Sequence, residues 1–170
     1  MRRECIPIVA ALALLLIAAA TADDFARTVS ALASGTTTRS RATRVRAGRL
    51  LLAIGARPLE GNDLGNTWAG NQAMRYRDRA LGPGYRTVTV MPGRTAHFEQ
   101  TFLAGQRAQV AIVALDRARF ALAIKDDEGA VSCAAPPGGR CSWVPLWTTR
   151  YGIDVSNTGR ATGRYYMVVQ

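Results

Sequence analysis

Lysine, histidine and cysteine are scarce in this chain of 170 residues. Lys125 is the only lysine and His97 the only histidine, so arginine supplies nearly all of the positive charge. Cys5 lies in the N-terminal segment, which leaves His97, Cys133 and Cys141 as candidate ligands for a transition metal. A closed zinc site needs four ligands, and the spacing of the two later cysteines is too wide for the usual zinc knuckle. The composition therefore argues against a zinc site.

The sequence also lacks the short motifs of common enzyme classes. It contains no Gly-x-Ser-x-Gly element, which would mark the nucleophile of an α/β-hydrolase. Its glycines lie in turn-like segments rather than between a strand and a helix, so no phosphate-binding loop is indicated. We therefore predict no catalytic residue, no metal and no cofactor.

A long apolar run occurs only near the start of the chain. Arg2-Arg3 precedes an uninterrupted apolar stretch from Ile8 to Ala20, and Ala20-Thr21-Ala22 has the small-x-small pattern of a cleavage site. This order is typical of a secretory signal peptide. The rival interpretation is a membrane anchor, but the run holds about thirteen residues and a spanning helix needs roughly twenty. We predict a signal peptide over residues 1–22 and a secreted or periplasmic mature chain that starts at Asp23 and does not span a membrane.

The chain carries a net charge of +10 at pH 7, and removing Arg2, Arg3 and Glu4 with the signal peptide lowers it to +9. A positive surface favours anionic partners, and an exported protein meets acidic glycans or lipid head groups more readily than nucleic acid. Two interpretations of the basic runs remain open, a contact with such an anionic surface and a solvated linker without a ligand. The densest run comprises Arg39, Arg41, Arg44, Arg46 and Arg49, and a second comprises Arg75, Arg77 and Arg79.

Cys133 and Cys141 are predicted to form a disulfide. They are the thiols that remain after cleavage, and paired cysteines are usual in exported proteins. Pro136-Pro137-Gly138-Gly139 lies between them and favours a chain reversal. Such a reversal can bring the two Cα atoms to the roughly 5.5 Å that a disulfide requires. The alternative is a pair of reduced, buried thiols.

The sequence changes character near residue 81. Residues 23–81 are helical or irregular in pattern, and the first predicted helix carries its apolar residues at helical spacing before it ends at Gly35. A second helix is predicted from Arg44 to Ala56 and a third from Asn66 to Ala80. We therefore distinguish a helical N-terminal segment, residues 23–81, from a β-rich domain, residues 82–170.

Short β-rich runs separated by turn residues fill the second part of the chain. Alternating apolar residues support several of them, such as Phe120, Leu122 and Ile124, which share one strand face. Many short strands at regular spacing predict an antiparallel sandwich whose apolar faces are buried between two sheets. The predicted strands are Tyr85–Met91, Thr95–Leu103, Ala108–Leu115, Arg119–Lys125, Val131–Cys133, Cys141–Val144, Tyr151–Ser156 and Arg164–Val169.

Four segments of this region resemble the bacterial pre-peptidase C-terminal domain. Phe98–Gln106 is similar to its opening strand and Ala-Gly turn, and Asp126–Gly129 stands where the family has an Asp/Gly-rich hairpin turn. Trp143–Asn157 is similar to the family's run from a proline into a strand that ends in asparagine, and Gly163–Val169 is similar to its closing strand. The resemblance covers about residues 85–170.

The resemblance implies a mainly β protein, an antiparallel jelly-roll-like β-sandwich, here with a short helical N-terminal appendage. Members of this family are appended to secreted enzymes, where they are associated with secretion, substrate binding or spacing, and they have no catalytic machinery. Residues 23–81 are too short to hold an enzyme domain. The chain is therefore more similar to small exported bacterial proteins that are built on the same sandwich.

Two groups of polar residues each allow a functional and a structural interpretation. His97 and Glu99 share one strand face, where His97 can serve as a general base, but the same positions fit the polar face of an amphipathic strand. Asp126, Asp127 and Glu128 can offer oxygen ligands to calcium or form a solvated hairpin turn. The structural interpretation is favoured for both groups.

Trp143, Trp147 and Tyr151 can line a sugar-binding surface or pack in the sandwich, and packing is favoured. We predict an exported, non-catalytic binding or structural module of the bacterial envelope. One alternative is an enzyme with a site near His97, and another is a subunit of a larger secreted complex that docks through residues 25–80.

Overall fold

The computed structural model describes residues 24–70 and 82–170. In this part of the chain, helical residues precede strands that form two sheets, so the protein is mainly β, as predicted. Helix α1 covers residues 24–37. The other elements are α2 Arg41–Ala53, β1 Arg57–Pro58, α3 Leu64–Ala69, β2 Gly84–Val90, β3 Thr95–Phe102, β4 Ala108–Ala114, β5 Phe120–Lys125, β6 Val131–Ala135, β7 Arg140–Trp143, β8 Thr149–Asn157 and β9 Gly163–Val169.

The two sheets pack face to face. The five-stranded sheet has the order β1-β2-β9-β4-β7, and we call it the helix-covered sheet. The four-stranded sheet has the order β3-β8-β5-β6, and we call it the open-faced sheet. Neighbouring strands are antiparallel except for the short parallel pair of β1 and β2. This arrangement is the predicted β-sandwich.

Strict alternation of burial builds the core between the sheets. In β5, Phe120, Leu122 and Ile124 are buried and the residues between them are partly exposed, because successive side chains of a strand point to opposite faces. Phe120 packs edge-on against Tyr165 of β9, with ring centroids 4.7 Å apart. Other buried members of this core are Val90, Phe102, Val110, Tyr151, Ile153, Val155 and Met167.

A second apolar core lies between the helices and the outer face of the helix-covered sheet. It explains why β9 is buried at six of its seven positions, since both faces of the strand are covered. Phe25 and Leu51 from the helices pack with Val113 and Val168 from the sheet. The helices are therefore part of the packed structure and shield one face of the sandwich from water.

The end of α1 differs from the prediction. Gly35 was expected to end the helix, but the helix continues to residue 37 because Thr36 and Thr37 donate side-chain hydrogen bonds to the carbonyls of Leu32 and Ala33. Gly35 has a packing role instead. A Cβ atom at this position would overlap the ring of Trp68, so the glycine permits the close approach of that ring.

The bounds of α2 also differ from the predicted Arg44–Ala56. The helix starts at Arg41 because Ser40 caps it, accepting a hydrogen bond from the Thr43 amide at 3.4 Å. It ends at Ala53 because Gly55 has a φ of 71°. The third predicted helix, Asn66–Ala80, corresponds in the described residues to α3, and its remainder over residues 71–80 lies outside them.

Strand β1 was not predicted, because a two-residue strand leaves no periodic signal. Two hydrogen bonds hold it against β2, from the Arg57 amide to the Pro83 carbonyl at 3.0 Å and from the Leu59 amide to the Tyr85 carbonyl at 2.7 Å. The Tyr85 hydroxyl accepts a further bond from the Leu64 amide at 2.9 Å, which ties α3 to the sheet. Burial raises the pKa of Tyr85 to about 12, because water can no longer solvate the phenolate.

The two sides of the sandwich are closed in different ways. On one side, Cys133 of β6 and Cys141 of β7 form a disulfide that links the edge of the open-faced sheet to the edge of the helix-covered sheet, with Cα atoms 5.8 Å apart. This is the pairing that the sequence predicts. On the other side, the guanidinium of Arg86 lies 4.9 Å from the ring centroid of Phe98. This side is held by side-chain contacts and the turn from β2 to β3.

None of the helices in residues 24–70 and 82–170 combines the length and the apolar character that a membrane crossing requires. The predicted signal peptide, residues 1–22, lies outside the described residues.

Candidate functional site

Three loops meet at one end of the sandwich, which we call the loop end: residues 103–107, 126–130 and 144–148. The strand register places them together, because Phe102 of β3 pairs with Thr149 of β8 and β5 runs toward the same end. The first and third loops are bonded directly, from the Gly105 amide to the Pro145 carbonyl at 2.9 Å and from the Ala104 amide to the Thr148 hydroxyl at 3.0 Å. These bonds fix the loops on a rigid scaffold.

Four large apolar side chains are exposed on these loops, and we call them the apolar loop patch. Leu146 is 82% exposed and Trp147 is 78% exposed, and Val144 and Leu103 are about half exposed. Large apolar side chains in such numbers are unusual on a surface unless they mark an interaction site. The patch is therefore the strongest candidate for a binding surface.

The three aromatic residues considered for sugar binding or packing differ in burial. Trp143 and Tyr151 pack between the sheets, with ring centroids 5.4 Å apart, and each also contacts the Phe102 ring. Trp147 instead lies on the loop with its indole in solvent. The packing interpretation therefore holds for Trp143 and Tyr151 and is wrong for Trp147.

A cleft of about 730 Å³ opens beside the apolar loop patch. It lies on the side of the sandwich without the disulfide, where β1 and the start of β2 belong to one sheet and the end of β3 to the other. Its volume is in the range of small-ligand and peptide-binding pockets. Leu59, Phe102, Leu103, Ala108 and Val169 form its apolar lining.

The polar lining of the cleft consists of amides and arginines. Gln100, Gln106, Gln109 and Gln170 contribute carboxamide groups, and Arg57 and Arg107 contribute the charge. The Oε1 atom of Gln170 is buried and accepts no hydrogen bond from the described part of the chain. Among the described residues of the lining, arginine carries the charge and none is aspartate or glutamate.

A polar cluster occupies the outer face of the open-faced sheet. His97 Nδ1 lies 2.7 Å from Asp154 Oδ1, and Lys125 Nζ lies 2.9 Å from Asp154 Oδ2, so the carboxylate bridges three neighbouring strands. Partial burial of the Asp154 carboxyl opposes its ionisation, but the hydrogen bonds from His97 and Lys125 outweigh that effect and lower its pKa below 3.8. The cluster is an ion-pair network across the sheet.

His97 and Glu99 share the outer face of β3 but pair with different side chains. Glu99 pairs with Arg150 at 3.0 Å, whereas His97 pairs with Asp154. Ser156 carries the hydroxyl that is nearest to Asp154 in the sequence, and this hydroxyl lies 2.8 Å from the Thr95 hydroxyl. The His97 ring thus lies on an open, largely exposed strand face rather than in a cavity.

The acidic turn after β5 is organised by its own backbone. Asp126 Oδ1 accepts hydrogen bonds from the amides of Glu128 and Ala130, and Asp127 Oδ2 accepts one from the Thr149 hydroxyl. The Asp126 carboxylate is therefore bonded within the loop, and the Asp127 carboxylate is bonded to β8. In the described residues, no group of three or more His, Cys, Asp or Glu side chains is placed to hold a metal ion.

The predicted basic run lies on and just before α2. Arg44 donates hydrogen bonds to the carbonyls of Gly35 and Thr38, at 3.4 and 3.0 Å, so it satisfies the end of α1. The other members are exposed, namely Arg39, Arg41, Arg46 and Arg49. Most of the run is helical rather than part of a linker, and contact with an anionic surface stays a prediction. Arg75, Arg77 and Arg79 lie outside the described residues.

Sequence reasoning missed Leu146, Leu103 and the cleft. The run Val144-Pro145-Leu146-Trp147 carries a signal, because four consecutive large apolar residues lack the alternation of a half-buried strand. The cleft has no comparable signal, since its lining comes from five separate segments of the chain.

Comparison with known proteins yields similar folds but no family. No protein-family model matches the chain, and no curated protein matches it. Among solved structures, a Yersinia pseudotuberculosis-derived mitogen is similar at 10% identity and a TM-score of 0.46, covering 52% of this chain and 85% of the other. The pre-peptidase C-terminal domain of a collagenase from Bacillus anthracis has 10% identity and a TM-score of 0.45, covering 51% and 87%. PliG of Aeromonas hydrophila, a periplasmic inhibitor of g-type lysozyme, has 13% identity and a TM-score of 0.46, covering 68% and 94%.

Proposed function

We propose that the protein is an exported, non-catalytic binding module that captures a protein partner through the loop end. The observation that carries this proposal is the apolar loop patch, whose two most exposed members are Leu146 and Trp147. Exposed tryptophan and leucine side chains are unfavourable in water, so a partner that buries them gains free energy of binding from the hydrophobic effect. Tryptophan is also among the residues that most often dominate binding energy at protein interfaces.

Export is supported by the disulfide. A bond between Cys133 and Cys141 persists in an oxidising compartment, and cytosolic proteins rarely keep such bonds. The bond also braces the two sheets on the side away from the cleft. It therefore supports both the compartment and the rigidity that a binding scaffold needs.

Site-specific cross-linking tests the proposal. A photoreactive amino acid is placed at Trp147 in the exporting cell, and the matched control places it at Met91, which is 67% exposed in the turn at the opposite end of the sandwich. We expect a discrete protein adduct from position 147 and none from position 91. The partner identified from that adduct should copurify with the wild type but not with the double variant Leu146→Ser/Trp147→Ser, whose melting temperature should stay unchanged because both side chains are exposed. Equal adducts at positions 147 and 91 would contradict the proposal.

The alternative of an enzyme near His97 has one observation in its favour. The 2.7 Å contact between His97 Nδ1 and Asp154 Oδ1 is the geometry that orients an imidazole as a general base. A nucleophile would also be needed, and the nearby Ser156 hydroxyl is bonded to Thr95. Hydrolysis of p-nitrophenyl acetate by the wild type, lost in His97→Ala and kept in Glu99→Ala, would favour the enzyme.

The alternative of docking through residues 25–80 finds less support. Within residues 24–70, Leu59 is the only large apolar side chain that is highly exposed, at 41%, and it belongs to the segment after β1. The helices direct Phe25, Leu32 and Leu51 into the core against the sheet. The described helices therefore offer little apolar surface to another subunit.

A further inference from the structure

We propose that the cleft between β2 and β3 binds an extended, carboxylate-bearing peptide segment of the partner. This inference rests on the proposed function in one respect, namely that the partner is a protein. It adds the chemical class of the segment and a second contact site beside the apolar loop patch.

The hydrogen-bonding groups of the cleft match a peptide backbone. Each carboxamide offers both N–H donors and a carbonyl acceptor, and an extended peptide offers the same two kinds of group along its length. The buried Oε1 atom of Gln170 accepts no hydrogen bond within the described chain, and a buried acceptor without a donor is costly. A peptide N–H in the cleft supplies that donor.

The charge of the cleft selects a carboxylate. Arg107 lines it, and the described residues of the lining include no aspartate or glutamate. The guanidinium of Arg107 forms no hydrogen bond or ion pair with the described residues, so its donors are available to a ligand. Arginine presents these donors in a planar fork that matches the two oxygens of a carboxylate.

A peptide fits the lining better than a sugar. Sugar rings stack on exposed aromatic faces, but Phe102, the aromatic residue of the lining, is only 7% exposed and packs edge-on against Trp143 and Tyr151. Leu59, Leu103 and Val169 instead offer an apolar wall for aliphatic side chains. An acidic glycan is therefore the less suitable ligand.

The position of the cleft also favours an extended chain. Strand β3 lies at the edge of the open-faced sheet and pairs only with β8 among the described strands. Residues 100–102 of this strand line the cleft, so a segment that enters it can add to the free edge. Leu103 belongs to both the cleft and the apolar loop patch, which makes the two surfaces continuous.

Two pools of fluorescein-labelled octapeptides test the inference on the full mature chain, and their C-termini are amidated so that the fixed Glu supplies the only peptide carboxylate. Each pool has random Val, Leu, Thr and Ser residues around one fixed residue, which is Glu in the first pool and Gln in the second. Fluorescence anisotropy should show saturable binding of the Glu pool and binding of the Gln pool that is weaker by about tenfold, since a charge-assisted hydrogen bond is lost. Arg107→Gln should remove this preference, and the matched control Arg160→Gln, an exposed arginine at the opposite end, should keep it. The side-chain amide resonances of Gln100 and Gln170 should shift on binding of the Glu pool.

Three outcomes would overturn the inference. In the first, neither pool binds the protein with a Kd below about 1 mM, which is the range of non-specific association. In the second, the wild type binds both pools equally, and in the third, Arg107→Gln keeps the preference of the wild type for the Glu pool. Displacement of the Glu pool by oligogalacturonate at a lower concentration would assign the cleft to an acidic glycan instead. The proposed function is tested separately, because cross-linking from Trp147 does not depend on Arg107. An adduct at position 147 without a Glu preference would leave the proposed function standing and refute the peptide.

Discussion

At the scale of single residues, Asp154 is the most strongly engaged carboxylate of the open-faced sheet. It joins three strands through its contacts with His97 of β3 and Lys125 of β5. Hydrogen bonds from His97 and Lys125 stabilise the ionised carboxylate, so they also stabilise the folded state where Asp154 is charged. The cluster that the enzyme alternative would treat as an active site therefore has a structural role in binding the sheet together.

The stability contributed by Asp154 should depend on pH in a defined direction. Its pKa in the folded protein is lower than the ordinary pKa of an aspartate, so the unfolded chain binds the proton more readily. The contribution is complete above about pH 5 and is lost as the pH falls through the folded pKa. Urea unfolding of the wild type and Asp154→Asn from pH 6 to pH 3 should give free energies that converge at the acidic end. A constant difference across this range would refute the assignment.

Gly48 should resist replacement although it lies in a helix. Alanine favours a helix over glycine by about 1 kcal/mol. A Cβ atom at position 48, however, would lie 2.5 Å from the Ala69 amide nitrogen and 2.9 Å from the Gly65 carbonyl oxygen, and backbone atoms move little. We expect Gly48→Ala to lower the free energy of unfolding by about 1–3 kcal/mol through overpacking. Arg46→Ala, on the exposed side of α2, should change it by less than about 0.5 kcal/mol.

At the scale of elements, the disulfide adds a covalent side-chain link between the edges of the two sheets. It closes a loop of eight residue steps between Cys133 and Cys141. On the chain-entropy model, closing so short a loop stabilises the fold by about 2–3 kcal/mol. Cys133→Ala/Cys141→Ala should lower the melting temperature, and a reductant should lower that of the wild type but not that of the variant. Free thiols at both positions in protein from its native compartment would contradict the bond.

The strands were predictable because alternation is a local property of the sequence. All eight strands of residues 82–170 lie within two residues of their predicted bounds, as in β3, predicted as Thr95–Leu103 and observed as Thr95–Phe102. The helix boundaries were less accurate, because the cap at Ser40 and the hydroxyl bonds of Thr36 and Thr37 decide them. The partner of His97 could not be predicted, since Asp154 is 57 positions away and only the register of β3 with β8 joins them.

The candidate site also combines features that depend on the local sequence with features that depend on contacts between distant parts of the chain. Trp147 is exposed and Trp143 is packed although only three residues separate them, because Trp143 ends β7 and faces the sandwich while Trp147 lies in the following loop. Composition and spacing do not distinguish the burial of these two tryptophans. The difference depends on where a strand ends and on the hydrogen bond between Gly105 and Pro145 that fixes the loop.

At the scale of the whole molecule, the basic run and the apolar loop patch occupy different places. The exposed arginines of the basic run lie on and before α2, whereas the apolar loop patch lies at the loop end. If the run binds anionic surfaces, the protein should bind phosphatidylglycerol vesicles more weakly as the salt concentration rises. The reason is that the Debye screening length falls from about 10 Å at 0.1 M to about 3 Å at 1 M ionic strength. Replacing Arg39, Arg41, Arg46 and Arg49 with Gln should abolish this binding. Arg44 is left in place because it caps α1.

The control for the vesicle experiment replaces three exposed arginines elsewhere in the molecule, namely Arg94, Arg117 and Arg160. This variant should retain vesicle binding, because its charge falls by a similar amount while the basic run is intact. Absence of vesicle binding by the wild type at low salt would refute the prediction for the run.

The unequal closure of the sandwich has a consequence for its local opening in solution. Strands β3 and β6 are both edges of the open-faced sheet, but β6 is covalently tied to β7 through Cys133, whereas β3 lies beside the cleft. Amide hydrogens exchange with deuterium at the rate at which their strand opens locally. The amides of β3 should therefore exchange faster than those of β6, and reduction of the disulfide should remove that difference by accelerating β6 alone.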